Sequence, residues 1–211
     1  MLRIRYQIPT CLQRLYGGVV WHSPFPRGPL SPSRGKGEGV LLSFDDGPTP
    51  GVTERVLEIL GRYGVKATFF MLGEKAEKYP ELVEKVRAAG HTIGNHSYSH
   101  LRGTRVSTRR YLADVERANA LLTPSENGEY VKLFRPPYGK MWPWQKWALL
   151  RRGYSIWLWD VLTYDYDSRY SAEDIVGIVK RYAREGSIIL LHDSEKSGER
   201  MLEALPKIVE R

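Results

Sequence analysis

The sequence predicts an α/β fold in which parallel strands form a sheet that helices cover. From residue 40 onward, short apolar runs alternate with amphipathic segments about six or seven times. No Asn-Gly turn directly joins two of the apolar runs, so no hairpin is indicated. The chain has 211 residues, of which 42% are hydrophobic, and this suffices for the core of one domain. Such alternation fits either an open sheet or a sheet closed into a barrel.

Residues 1–38 are predicted to be an irregular lead-in, and residues 39–211 are predicted to form the folded domain. Residues 24–39 are rich in proline, glycine, serine and arginine, a composition typical of a surface loop. No apolar run of signal-peptide length follows the charged N-terminus, so we expect a cytoplasmic protein or one exported by a non-classical route. No stretch approaches the length of a transmembrane helix.

The first half of the domain alternates three strands with three helical stretches. Val52, Val56 and Leu60 lie at helical spacing after the first strand. The second helical stretch breaks at Pro80, and Ser107 is the capping residue of the third. The predicted strands span residues 40–42, 66–71 and 91–94, and the predicted helices span residues 52–63, 74–89 and 107–122.

The second half of the domain continues this alternation without an internal repeat. Ser171 and Asp174 resemble a capping box at the start of one helix, and Pro206 interrupts the last helix. The predicted strands span residues 131–134, 154–159 and 187–191, and the predicted helices span residues 142–152, 171–185 and 200–209.

Two adjacent carboxylates follow the first predicted strand. Asp45 and Asp46 directly precede Gly47-Pro48, so they lie at the carboxyl end of a buried strand, where α/β folds bind ligands. Two ionised aspartates in contact repel each other, and a bound cation removes that repulsion. The alternative is ordinary turn chemistry, in which one aspartate caps the next helix.

A pair of histidines follows the third predicted strand. His96 and His100 have the i, i+4 spacing that would place both imidazoles on one side of a helical turn. With Asp46 they would form a set of two histidines and one carboxylate that leaves positions open for water, as catalytic metal sites do. Non-haem iron oxygenases use a similar set, so the ligands alone do not separate hydrolysis from oxidation. Two surface histidines without a metal are the alternative.

Three further polar stretches follow later strands. Arg135 precedes two prolines, where its guanidinium either pairs with an aspartate or belongs to a rigid surface turn. Aromatic and acidic residues alternate over residues 159–167, a pattern that suits a sugar ring but also an ordinary acidic loop. His192 directly follows an apolar strand at the same edge of the predicted sheet, either as a site residue or as a capping contact.

The charge of the chain favours an anionic partner. The formal net charge is +8 and the pI is about 9.5, which suits a cell-wall polymer, a membrane surface or a nucleic acid. The basic residues are scattered, without the stripe of interleaved aromatics typical of nucleic-acid binders, so we expect no nucleic acid. Cys11 is the only cysteine, which excludes an internal disulfide and a thiolate metal site.

Five motifs occur in order, each after a strand. They are Ser-Phe-Asp-Asp-Gly-Pro from Ser43, His-Ser-Tyr-Ser-His from His96, Arg-Pro-Pro-Tyr from Arg135, the stretch over residues 159–166, and Leu-Leu-His-Asp from Leu190. Together they resemble the motifs of the polysaccharide deacetylases, carbohydrate esterase family 4. The resemblance covers residues 38–211 and implies an α/β fold of the deformed (β/α)7-type barrel with parallel strands.

The resemblance implies a metal centre with a general base beside it. Asp46, His96 and His100 would hold a divalent cation, usually Zn²⁺ in this family, with Co²⁺ or Mn²⁺ as alternatives. Asp45 would be the base that takes a proton from the attacking water. Arg135 would pair with Asp45 and hold it in place.

The resemblance also implies how the oxyanion and the leaving group are stabilised. The backbone N–H of Tyr138 would contact the oxyanion, and His192 would be the general acid, tuned by the hydrogen bond that it donates to Asp165. The chain departs from the family at Tyr166, where a tryptophan is usual. Asp160 is a second candidate for the partner of His192.

We interpret the chain as a metal-dependent N-deacetylase that releases acetate from N-acetylated amino sugars of peptidoglycan or a chitin-like polymer. Amide hydrolysis requires an activated water and a protonated leaving amine, and the named residues would supply both. The alternatives are a deacetylase of a small or non-sugar amide or ester, and a catalytically silent carbohydrate-binding relative. The expected partner is an N-acetylated glycan, and the expected oligomeric state is a monomer.

Overall fold

Eight strands in the described part of the chain form one curled sheet in which every neighbouring pair is parallel. This computed structural model describes residues 6–7, 13, 17–21, 39–123 and 131–210, so most of the predicted lead-in lies outside the described residues. The strands are β1 (Val19–Val20), β2 (Leu41–Asp45), β3 (Ala67–Met71), β4 (Thr92–Asn95), β5 (Lys132–Phe134), β6 (Tyr154–Trp157), β7 (Val161–Leu162) and β8 (Ile188–His192). Their order is β1-β6-β5-β4-β3-β2-β8-β7, which confirms the predicted parallel architecture.

Seven α-helices in the same residues pack against the sheet. They are α1 (Thr53–Arg62), α2 (Gly73–Lys78), α3 (Pro80–Ala88), α4 (Thr108–Leu122), α5 (Pro143–Arg151), α6 (Ala172–Tyr182) and α7 (Gly198–Val209). The predicted helices are confirmed, and the stretch over residues 74–89 divides at Pro80 as expected. None of these helices has the length and apolar character required to cross a membrane.

Side-chain caps begin two of the helices where the sequence predicted them. The Ser107 hydroxyl accepts a hydrogen bond from the Arg110 N–H at 3.3 Å, which satisfies one free donor at the start of α4. At α6, the Asp174 N–H donates to Ser171 Oγ at 3.2 Å, and the Ser171 N–H donates to Asp174 Oδ2 at 2.9 Å. The predicted capping box is therefore present.

Two short strands were not predicted. β1 comes from the lead-in that we expected to be irregular, and its two valines pair with β6 at one edge of the sheet. β7 follows β6, which ends at Trp157, two residues earlier than predicted. A strand of two residues is too short to show a hydrophobic period, so its pairing partners decide its conformation. The domain boundary at residue 39 stays a prediction, although β1 joins the sheet from the other side of it.

The two faces of β2 serve different purposes. Leu42 and Phe44 pack with residues of α1, α6 and α7 in the largest apolar cluster. Because side chains alternate along a strand, Ser43 and Asp45 share the inner face of the curl with Leu41. A second apolar cluster inside the curl takes residues from five different strands: Leu41, Phe70, Leu133, Trp157 and Ile188. The polar residues of β2 thus lie above an apolar layer, toward the carboxyl edge.

Parallel pairing brings the carboxyl ends of the strands to one edge of the sheet. Asp45 ends β2 and His192 ends β8, and these two residues are register partners. β4 ends directly before His96, and β5 ends directly before Arg135. The sheet therefore gathers residues that are far apart in the chain.

Replacing Phe69 by alanine should lower the free energy of unfolding by about 3–5 kcal/mol, because Phe69 is fully buried and the change would leave a cavity. Its ring centroid lies 5.0 Å from that of Phe44. Chemical denaturation followed by circular dichroism measures the change. Leu121→Ala is the control, since Leu121 is 37% exposed and should cost less than about 0.5 kcal/mol. An F69A protein with an unchanged midpoint would contradict the packing of β2 on β3.

Candidate active site

The loops after the strands meet at the carboxyl edge of the sheet and carry the predicted site residues. Within residues 39–123 and 131–210, every non-glycine residue with a positive φ lies in one of these loops: Asp46, Ser97, His100, Tyr138 and Tyr164. The left-handed conformation is unfavourable for residues with a side chain and persists where the surroundings enforce it. The backbone at this edge is therefore held in a specific arrangement.

A buried ion pair lies at this edge. Arg135 is fully buried, and its Nη1 donates hydrogen bonds to Asp45 Oδ1 at 2.7 Å and to Ser43 Oγ at 2.9 Å. Its Nη2 donates to the carbonyl of Leu158 at 3.0 Å. Burial raises the pKa of Asp45 above its usual value, and the guanidinium of Arg135 opposes that rise. The expected contact between Arg135 and Asp45 is present.

Three potential ligand atoms converge beside the ion pair. Asp46 Oδ1 lies 3.3 Å from His100 Nε2 and 3.6 Å from His96 Nε2. The ligand atoms of the three residues all lie within 4.8 Å of one another. Within the part of the chain that the structure describes, no other group of three His, Cys, Asp or Glu side chains has this proximity. The structure thus brings together the three residues that the sequence singled out.

The chemistry of these three residues fits a metal ion. Asp46 Oδ1 is buried and has no hydrogen-bond partner, which is costly unless another charge satisfies it. His96 Nδ1 lies 2.8 Å from the carbonyl of Arg135 and donates to it, so the lone pair of Nε2 faces Asp46 and His100. Burial lowers the pKa of His96 to about 3, which keeps the imidazole in the neutral form that binds metals.

The two histidines do not lie on a helical turn, and this prediction was wrong. Residues 96–102 form a loop in which Ser97 and His100 have φ values of 67° and 55°. Asp114 of α4 holds the loop, because its carboxylate accepts hydrogen bonds from two backbone N–H groups and one hydroxyl at 2.7–3.2 Å. The i, i+4 spacing thus identified two histidines that do converge, but the loop brings them together and not a helical turn.

The partner of His192 is Asp165. His192 Nδ1 lies 2.8 Å from Asp165 Oδ1, and the His192 N–H donates to Asp165 Oδ2 at 2.7 Å. The Thr163 hydroxyl donates to the Leu190 carbonyl at 2.7 Å, and its oxygen lies 3.2 Å from Asp165 Oδ1. Asp160 accepts a hydrogen bond from the Ser187 hydroxyl at 2.6 Å, at the start of β8 and thus at the opposite end from His192. The alternative partner Asp160 is therefore wrong.

The surroundings of His192 favour its protonated form. Burial lowers the pKa of His192, but the carboxylates of Asp165, Asp46 and Asp45 outweigh this effect and raise the pKa to about 9. The bond between Nδ1 and Asp165 leaves Nε2–H as the second donor of the ring. His96 and His192 thus have opposite protonation states at the same edge of the sheet.

Two tyrosines lie next to the histidines. Tyr138 is exposed, with a φ of 60°, and its ring centroid lies 4.6 Å from that of His100. Tyr166 meets the ring of His192 edge-on, with centroids 5.1 Å apart. The residue that departs from the family pattern therefore forms the aromatic wall beside His192.

Sequence reasoning missed residues that support the site, and Asp193 is the clearest example. Asp193 is buried, its Oδ2 accepts a hydrogen bond from the Thr53 hydroxyl at 2.7 Å, and its N–H donates to the Asp45 carbonyl at 3.1 Å. A Cβ on Gly47 would collide with this carboxylate, so glycine is required after the two aspartates. Burial raises the pKa of Asp193 to about 7. The only signal in the sequence was its position directly after His192.

Known proteins of one family are similar to this chain in sequence and in fold. Residues 33–155 match the family model described as polysaccharide deacetylase. Two peptidoglycan-N-acetylglucosamine deacetylases of Bacillus cereus are 38% and 34% identical over 172 and 175 residues, in each case 81% of this chain. The chain spans 62% of the length of the first relative and 79% of the second.

A solved structure extends the likeness over nearly the whole chain. The Bc1960 peptidoglycan N-acetylglucosamine deacetylase, crystallised in complex with 4-naphthalen-1-yl-N-oxidanyl-benzamide, matches with a TM-score of 0.82 at 30% identity. The match covers 96% of this chain and 89% of that chain. This likeness confirms the predicted deformed barrel. The chain therefore belongs to the polysaccharide deacetylases of carbohydrate esterase family 4.

Proposed function

We propose that this chain is a metal-dependent hydrolase that removes N-acetyl groups from N-acetylated amino sugars of peptidoglycan or a chitin-like polymer and releases acetate. One observation carries the proposal. A candidate metal triad, an aspartate paired with an arginine and a histidine paired with an aspartate occupy the same edge of the sheet. Amide hydrolysis needs a cation to activate water, a base and an acid, and this edge has a candidate for each. The named activity of the Bacillus cereus relatives supports the sugar substrate.

We assign Asp46, His96 and His100 as the ligands of a divalent cation, with Zn²⁺ preferred and Co²⁺ or Mn²⁺ as alternatives. When bound, such a cation would lower the pKa of a water molecule and polarise the acetamide carbonyl. The hydrogen bond from His96 Nδ1 to the Arg135 carbonyl orients the ring for this task.

Asp45 is the proposed general base, and only one of its oxygens is available. Oδ1 accepts the hydrogen bond from Arg135 at 2.7 Å, whereas Oδ2 lies 3.7 Å from His96 Nε2, on the side of the ligands. The attacking water would transfer its proton to Oδ2 as its oxygen bonds to the acetyl carbon. Because burial raises the pKa of Asp45, this carboxylate is a stronger base than a solvated aspartate.

His192 is the proposed general acid. Asp165 occupies Nδ1, so the proton on Nε2 would move to the sugar nitrogen as the C–N bond breaks. The products are acetate and a free amine on the sugar. His192 and Asp45 are register partners on adjacent strands, which places their Cα atoms about 5 Å apart. The backbone N–H of Tyr138 is the proposed donor to the oxyanion.

Acetate release from purified peptidoglycan, chitooligosaccharides and small acetamides tests the proposal, with Asp45→Asn as the inactive control. Release from a sugar polymer or oligomer is the expected result. Release from small amides or esters alone would contradict the sugar assignment. A protein with bound metal and no acetate release from any substrate would instead be a silent carbohydrate-binding relative.

His100→Ala should strongly weaken metal binding and abolish activity, because it removes one of three ligands. Metal content after dialysis, measured by mass spectrometry, checks this directly. His91→Gln is the matched control, since His91 is buried away from the triad, with a pKa lowered by burial to about 4. Full metal occupancy in H100A would remove His100 from the ligand set.

Substitution of the two neighbouring aspartates should have different effects on metal binding and on turnover. Asp46→Asn should lose metal and activity together, because the partnerless Oδ1 is its metal-facing oxygen. Asp45→Asn should keep the metal while kcat falls by about a hundred- to ten-thousand-fold, the usual cost of removing a general base. Metal analysis and steady-state kinetics separate the two. A D45N protein with metal and near wild-type turnover would exclude Asp45 as the base.

Asp165→Asn should move the basic limb of the pH–rate profile to lower pH. The active form of His192 is protonated, so activity falls as pH rises through its pKa. Asp165 is the main interaction that raises this pKa against burial, and its loss lets the pKa fall. Rates measured from pH 6 to about 10 follow the shift. A basic limb at the wild-type position in D165N would show that His192 is not the titrating acid.

A further inference from the structure

We propose that three exposed tryptophans bind an anionic glycan strand that extends from the sugar in the active site. This tryptophan platform consists of Trp142, Trp144 and Trp147, which are 41%, 56% and 58% exposed. The inference rests on the proposed function, because it assigns to that site a substrate longer than one sugar and negatively charged. The platform lies outside the five motifs of the sequence.

The exposed aromatic surface is concentrated in one segment. In the described residues, six large hydrophobic side chains are exposed, and four of them fall within residues 138–147: Tyr138, Trp142, Trp144 and Trp147. Exposed apolar groups scattered singly need no explanation, whereas a contiguous patch marks a binding surface. The opposite side of α5 is occupied, since Gln145 and Leu149 are fully buried. The core-facing side of α5 is therefore formed by other residues, and the tryptophans lie on its exposed side.

The platform has a defined geometry. The rings of Trp142 and Trp144 stack with centroids 5.0 Å apart and an interplanar angle of 10°. Trp147 lies three residues further along α5, which places it on the same helix surface as Trp144. In this stack each indole covers one face of the other, and the outer faces and ring edges remain accessible to a ligand. Flat rings of this kind match the apolar face of a sugar ring and keep the entropy cost of binding low.

A buried glutamine connects the platform to the end of the loop that carries His96 and His100 (residues 96–102). The Trp142 N–H donates to Gln145 Oε1 at 2.9 Å, and Gln145 Nε2 donates to the Gly103 carbonyl at 3.0 Å, just beyond His100. Tyr138, which contacts His100, lies four residues before Trp142, so their Cα atoms are at most about 14 Å apart. The platform is thus continuous with the catalytic edge, and one glycan strand can contact both.

The charge of this segment selects an anionic strand. Residues 131–159 contain six lysines and arginines and no aspartate or glutamate. Arg135 is buried against Asp45, and Arg152 pairs with Glu116 at 3.7 Å. Lys140 and Arg151 are exposed, just before and just after the tryptophans in the chain. The Arg151 guanidinium lies 3.6 Å from the ring centroid of Trp147, so a positive charge stands directly beside the aromatic surface. Aromatic faces next to cations fit a glycan that carries carboxylates, such as a peptidoglycan strand, better than a neutral chitin oligomer.

The test compares the wild-type protein with the variant Trp144→Ala/Trp147→Ala. Acetate release is measured on long soluble peptidoglycan strands and on the shortest accepted oligosaccharide. The ratio of kcat/KM for long over short substrate should fall about tenfold, mainly through KM. Co-sedimentation with insoluble peptidoglycan, which needs no turnover, should fall by a similar factor. Leu121→Ala, an exposed apolar control on α4, should change neither.

A second pair of variants tests the charge. Arg151→Gln should weaken the dependence of peptidoglycan binding on ionic strength, since exposed charges are screened by salt. Arg55→Gln, an exposed arginine on α1, is the matched control and should leave that dependence unchanged. Equal salt dependence in R151Q and R55Q would overturn the anionic part of the proposal.

Three outcomes would overturn the platform itself. They are wild-type sedimentation of the double variant, equal losses on long and short substrates, and tryptophan-dependent binding to anionic phospholipid vesicles in place of peptidoglycan. A different result separates the two proposals. If the protein sediments with peptidoglycan through these tryptophans yet releases acetate from no sugar, the platform stands and the deacetylase proposal fails.

Discussion

The buried ion pair of Arg135 and Asp45 is the interaction on which the site depends. Removing an arginine from water costs several kcal/mol, and a close carboxylate with further acceptors offsets that cost. Arg135 has these acceptors in Asp45, Ser43 and the Leu158 carbonyl, and its guanidinium carbon lies 4.0 Å from the ring centroid of Phe70. The pair joins residues at or beyond the ends of β2, β5 and β6. It therefore fastens the sheet at the edge where the candidate ligands lie, and it leaves one oxygen of Asp45 for chemistry.

The same edge holds two histidines in opposite protonation states. Burial alone would make both neutral, as it does for His96 with a pKa of about 3. His192 has a carboxylate on its Nδ1, and this raises its pKa to about 9 in spite of burial. Where neighbouring titratable groups have pKa values driven apart, the environment has assigned them different roles. A neutral imidazole suits a metal, and a charged imidazole suits an acid.

Backbone strain is concentrated around this edge. The positive φ values in the loop of His96 and His100 (residues 96–102) are sustained by a partner elsewhere in the chain, the Asp114 carboxylate, which accepts hydrogen bonds from Tyr98 and Ser99. The same set of loops thus carries the strained residues and the candidate ligands.

The alternation of strands and helices can be predicted from the sequence alone, as can the caps at Ser107 and Ser171 and the candidate ligands. These features are local, because a hydrophobic period or a capping residue acts within a few positions. The loop conformation of His96 and His100 and the pairing of β1 and β7 with the sheet depend on contacts between distant segments. The tertiary structure also decides that His192 bonds to Asp165, 27 residues away, while Asp160 lies at the other end of β8. Such contacts depend on strand register and on hydrogen bonds between distant segments, which no local pattern encodes.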